Sequence, residues 1–98
     1  MMIYFVSRHP GARDWMMSQG LLVDEVVEHI GIDQLHSGDV VIGSLPVNLA
    51  AHVCACGARY VHLTLDLPLE ARGRDLTMEE MRRYGARVEE YQVRKIAC

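Results

Sequence analysis

The chain has 98 residues, with 10 Lys plus Arg against 13 Asp plus Glu, so its formal net charge is −3 with neutral histidine. That length makes one domain, residues 1–98, and a hydrophobic share of 50% is enough for a single core. An acidic total argues against a protein that coats DNA or RNA through bulk charge and against a polybasic membrane binder; no apolar run approaches the roughly 20 residues of a membrane-spanning helix.

Met2 to Ser7 is a continuous apolar run rich in aromatic and β-branched residues, which predicts a strand buried on both faces. His9-Pro10-Gly11 breaks it. Ala12 to Gln19 reads as a helix with Trp15 and Met16 toward the core and Gly20 as its left-handed stop. Leu22 to Ile30 favours a strand through its β-branched content, although its spacing also fits a helix. Ser37-Gly38-Asp39 is a turn, and Val40 to Ile42 a second buried strand ending at Gly43-Ser44. Pro46 begins a helix that runs to about Cys56, with Gly57 as its stop. Tyr60 to Asp66 alternates, with Val61, Leu63 and Leu65 on one face and Tyr60, His62, Thr64 and Asp66 on the other, as a strand requires. Pro68 to Asp75 is a polar loop. Thr77 and Glu80 form a capping box that opens a helix to Tyr84, and Arg87 to Ile96 reads as a final strand, a helix there staying open. Strands alternating with helices predict a small Rossmann-like α/β domain with a mostly parallel sheet flanked by helices.

Ligands in such sheets collect outside the carboxyl ends of the strands, which singles out the loops Ser7–Gly11 and Gly43–Asn48. Each leads into a helix N-terminus, where free N–H groups and the helix dipole favour a phosphate. Gly11 and Gly43 would let the backbone approach a ligand, while Ser7, Ser44 and Asn48 would add hydrogen bonds. Arg8 offers a charged fork that fits phosphate oxygens, and His9 offers a proton near neutral pH. Asp66 ends a strand on the ligand side or caps the following turn. Arg72 and Arg74 close over an anion or are solvated. Neither loop matches the dinucleotide or P-loop patterns. The pair Cys54/Cys56 has the spacing CxC and is read as buried small residues; Met16-Met17 and Met78/Met81 are read as core-facing. His29, His36, His52 and His62 stand singly, so no metal and no cofactor is expected. Three cysteines do not make a disulfide framework and no signal peptide is visible, so a cytoplasmic location is expected.

The run Tyr4-Phe5-Val6-Ser7-Arg8-His9-Pro10-Gly11-Ala12, then Trp15, resembles the N-terminal signature of a small CRISPR-associated family, Csx-sixteen in words. The resemblance continues through Gly38-Asp39, Gly43-Ser44-Leu45-Pro46-Val47-Asn48-Leu49-Ala50-Ala51, Gly57-Ala58-Arg59-Tyr60, Leu65-Asp66-Leu67-Pro68, Arg72-Gly73 and Gly85-Ala86-Arg87. It implies a CARF-like accessory protein of type III CRISPR defence and a ring nuclease that cleaves the messenger cyclic tetra-adenylate, switching the antiviral response off. It also implies a homodimer around the ring, with no DNA and no membrane as partner.

Such cleavage needs no metal: the ribose 2′-hydroxyl attacks the adjacent phosphorus, leaving a 2′,3′-cyclic phosphate and a 5′-hydroxyl. From the loop argument, Arg8 is expected to stabilise the phosphorane and His9 to protonate the leaving 5′-oxygen; Ser7, Gly11, Gly43, Ser44, Asn48 and Asp66 bind ligand, with Arg72 and Arg74 as lid contacts. Two other classes stay open: a non-catalytic binder (a sponge) of the cyclic nucleotide, and a structural accessory subunit of a CRISPR effector.

Overall fold

The computed structural model describes residues 1–8, 10–71, 73 and 75–96. The expected order of elements is found: β1 (Ile3–Val6), α1 (Pro10–Ser18), β2 (Glu25–Val27), β3 (Val40–Gly43), α2 (Val47–Ala55), β4 (Arg59–Thr64), α3 (Met78–Arg83) and β5 (Arg87–Tyr91), with short 3-10 turns at Ile32–Gln34 and Leu69–Ala71. The five strands form one sheet in the order β2-β1-β3-β4-β5. The first four are mutually parallel, and β5 runs antiparallel to β4 with Leu63 opposite Val88. This is the mostly parallel α/β sheet that the alternation of strands and helices predicted.

The central strands carry the most apolar sequences because both of their faces are covered. All four residues of β3 are buried, and Phe5 of β1 is fully enclosed. From β1 the chain steps outward to β2; from β3 it steps the other way to β4. Right-handed crossovers in opposite directions put their helices on opposite faces. Accordingly, Trp15, Met16 and Met81 of α1 and α3 pack with Phe5, Val40, Ile42 and Leu63, while Ala50 and Val53 of α2 pack with Tyr4, Val41 and Tyr60. The alternation read along β4 therefore divides its side chains between two cores.

Several details differ from expectation. The segment Leu22 to Ile30 is a strand only over Glu25–Val27, and Leu22 is exposed. It lies at the sheet edge, where short strands limit unwanted pairing. Met17 is 77% exposed: Met16 takes the core-facing position beside it, and one residue further turns the side chain about 100° around the helix. Cys54 and Cys56 are half-buried rather than buried: Cys54 packs at the margin of the core under α2, where the Val93 N–H donates to its Sγ at 3.4 Å, and Cys56 is the residue that ends the helix. The last segment is a strand that ends at Tyr91.

The local signals are realised. Gly20, Gly57 and Gly85 end the three helices with positive φ. The Thr77 hydroxyl accepts from the Glu80 N–H at 3.2 Å, and Glu80 returns the bond to the Thr77 N–H at 3.1 Å.

Candidate functional site

The chain reverses its lateral direction between β1 and β3, and a crevice of about 520 Å³ opens at their carboxyl ends. That is the position where parallel α/β sheets take ligands. Its rim holds Ser7 and Arg8 after β1, Glu28 and His29 after β2, and Ser44 after β3. Its floor is apolar: Leu45 and Leu49 come from the start of the α2 region, Leu63, Leu65 and Leu67 from β4 and beyond, and Leu76 and Met81 from around α3. An apolar lining with a few polar groups at the edge is the usual make-up of a small-molecule site.

The β3–α2 loop is held by interior hydrogen bonds. Ser44 Oγ donates to the Leu63 carbonyl at 2.9 Å. The buried Tyr60 hydroxyl accepts from the Leu45 N–H at 3.0 Å, lies 3.0 Å from the Gly43 carbonyl and 2.6 Å from His62 Nδ1. Its single proton goes to one of those two acceptors. Burial pushes the Tyr60 phenol above its ordinary value, so it stays protonated as a fixed brace. The β1–α1 loop differs: Arg8 is exposed at the crevice mouth.

The structure therefore brings Ser7, Arg8 and Ser44 together. The two glycines serve the chain itself. A Cβ on Gly11 would overlap the Leu76 carbonyl oxygen, so its bare backbone makes room for the segment entering α3 rather than for a ligand. A Cβ on Gly43 would lie 2.8 Å from the Val6 carbonyl oxygen, so this glycine permits close approach of β1. Asn48 faces a different groove, between the outer side of α2 and residues 92–95. Asp66 pairs with Arg87 at 3.1 Å, and its carboxylate holds the Arg87 guanidinium above its ordinary value. His9, Arg72 and Arg74 lie outside the described residues.

Sequence reasoning missed Glu28, His29 and Tyr60. His29 looked isolated because its neighbours in space are distant in sequence. The available signal was a polar pair, Glu28-His29, just past the β-branched run Val26-Val27. Parallel pairing of β1 with β2, with Val6 opposite Val27, brings that pair beside Ser7 and Arg8.

The sequence profile of the family described as "Putative CRISPR-associated protein (Cas_VVA1548)" matches residues 4–94. The chain belongs to this CRISPR-associated family. Its matched span runs from within β1 to beyond β5 and includes every element that lines the crevice. No curated protein and no solved structure matches the chain. Among the described residues, no helix is long and apolar enough to cross a membrane.

Proposed function

We propose that this CRISPR-associated chain is a type III ring nuclease, a cytoplasmic homodimer that binds cyclic tetra-adenylate and linearises it without a metal. The observation that carries the reading is the crevice at the carboxyl ends of β1 and β3, with leucines below and Arg8 at its mouth. The leucine floor suits adenine faces, and Arg8 suits a phosphodiester. A crevice of about 520 Å³ is sized for part of a tetranucleotide ring. Two copies related by a two-fold axis would meet a ring of matching symmetry.

In this mechanism the crevice holds one ribose so that its 2′-hydroxyl lies in line with the scissile P–O5′ bond. Arg8 stabilises the charge that develops on the phosphorane, and His9 gives a proton to the departing 5′-oxygen. Ser7 and Ser44 line the crevice, and in this reading they border the sugar-phosphate backbone. The Tyr60 brace keeps the Ser44 loop from shifting during the attack.

The test is purified protein with cyclic tetra-adenylate and EDTA, followed by chromatography. Linear products with 2′,3′-cyclic phosphate ends under multiple turnover are expected. Ligand that is retained but uncut would make the protein a sponge, and no binding would make it a structural subunit of an effector.

A further inference from the structure

We propose that His29 is the general base of the crevice, the group that takes the proton from the attacking 2′-hydroxyl; this rests on the ring-nuclease reading above. The placement comes from the sheet. The Ser7 N–H donates to the Val27 carbonyl at 2.9 Å, carrying the β1–β2 ladder one bond beyond the paired residues Val6 and Val27. The chain leaving β2 is thereby laid beside the chain leaving β1, and Glu28 and His29 line the same crevice as Arg8. The His29 side chain is exposed there, open to a ligand that enters from solvent.

The chemistry selects among the rim groups. A guanidinium is already protonated and accepts nothing. A serine hydroxyl is no base near neutral pH, and the Ser44 hydroxyl donates inward to Leu63. A carboxylate such as that of Glu28 is a weaker base than an imidazole. An imidazole is matched to proton abstraction near pH 7. Among the described residues, Arg8 and Glu28 are the other charged groups that line the crevice with it.

The step balances. The 2′-hydroxyl proton moves to His29, O2′ forms its bond to phosphorus, and the P–O5′ bond breaks. The 5′-oxygen takes a proton from the His9 imidazolium, and both imidazoles then exchange protons with water to reset.

The experiment uses the full chain, His29→Gln and His29→Ala. It measures affinity for cyclic tetra-adenylate and the single-turnover cleavage rate against pH. The wild-type rate is expected to rise and then fall with pH, its acidic limb set by the base, which must be deprotonated, and its alkaline limb by the acid, which must be protonated. Both variants should bind within a few-fold of wild type, cut roughly 10²–10⁴-fold more slowly, and lose that acidic limb. Added imidazole should restore part of the His29→Ala rate. Variants that cut at the wild-type rate, or more slowly with the acidic limb intact, would overturn the assignment of His29 while leaving the ring-nuclease reading in place. A wild-type protein that binds the ring and never cuts it overturns the reading itself.

Discussion

The two ends of the parallel sheet use their charged groups in opposite ways. At the amino end, Asp39 is 3% exposed; its carboxylate accepts from the Met2 N–H at 3.0 Å and from the His36 N–H at 2.9 Å. Asp24 likewise accepts from the Ile3 N–H at 2.7 Å. These carboxylates satisfy backbone donors where β1 enters the sheet. At the carboxyl end, Arg8, Glu28 and His29 border a crevice. One end uses its charged groups to secure the strands to one another, and the other leaves them on the rim of a crevice. Parallel strands make this division natural, because every carboxyl end and its loop lies on the same side.

Substitutions at the two ends should therefore separate activity from stability. After the His29 variants, the largest expected effect is Arg8→Ala. Removing a group that stabilises developing charge should slow ring cleavage about 10²–10³-fold in single-turnover assays, with an unchanged melting temperature. Comparable loss of stability would place Arg8 with the structural groups instead.

Gly11→Ala comes next, because the new methyl group meets the Leu76 backbone and not a flexible side-chain tip. Overpacking of this kind costs about 1–3 kcal/mol or more, read by denaturant unfolding. An unchanged stability would mean that the start of α1 yields freely, and Gly11 would return as a position of ligand approach. Tyr60→Phe acts beside the crevice yet tests a structural bond: leaving the part-buried Leu45 N–H without its partner should cost about 0.5–1.5 kcal/mol. Cleavage should fall as well, because the Ser44 loop loses its brace. A stability change with no kinetic change would separate that loop from the reaction.

The subtlest effect is a pH dependence. Hydrogen bonds from the Met2 and His36 amides hold the Asp39 carboxyl below its ordinary value. Its folded pKa is depressed, so its contribution is fully present above the ordinary value for an unfolded aspartate and is lost as pH falls through the folded value. Asp39→Asn should flatten the acid side of the melting-temperature profile and leave cleavage at neutral pH nearly intact. An acid limb identical in both proteins would show that other carboxylates control it.

Much of the architecture was legible because its signals are local. Continuous apolar runs marked β1 and β3, alternation marked β4, and Thr77 with Glu80 marked the start of α3. The edge strand β2 was harder to bound, since its length depends on a single neighbour and on where Asp24 attaches to β1. In the crevice, Ser7, Arg8 and Ser44 were legible from their place after strands, whereas Asn48 turned to another groove through the rotation of α2. His29 carried the same signal, just past the Val26-Val27 run, but its place beside Arg8, like the reach of Tyr60 to the Leu45 N–H, spans a gap in sequence that only strand pairing closes.

The sequence by itself determined the order of elements, which strands are most buried, and the two βα loops that follow β1 and β3. These follow from hydrophobic periodicity, caps and turn residues, whose physics operates within a few neighbouring positions. Only the tertiary structure decided what those loops do: that Gly11 yields to the Leu76 carbonyl, that Asp66 is engaged by Arg87, and that Glu28 and His29 join Arg8 at one rim. Such outcomes depend on which side chains compete for the same space and the same partner, and the competitors are set by sheet order and register.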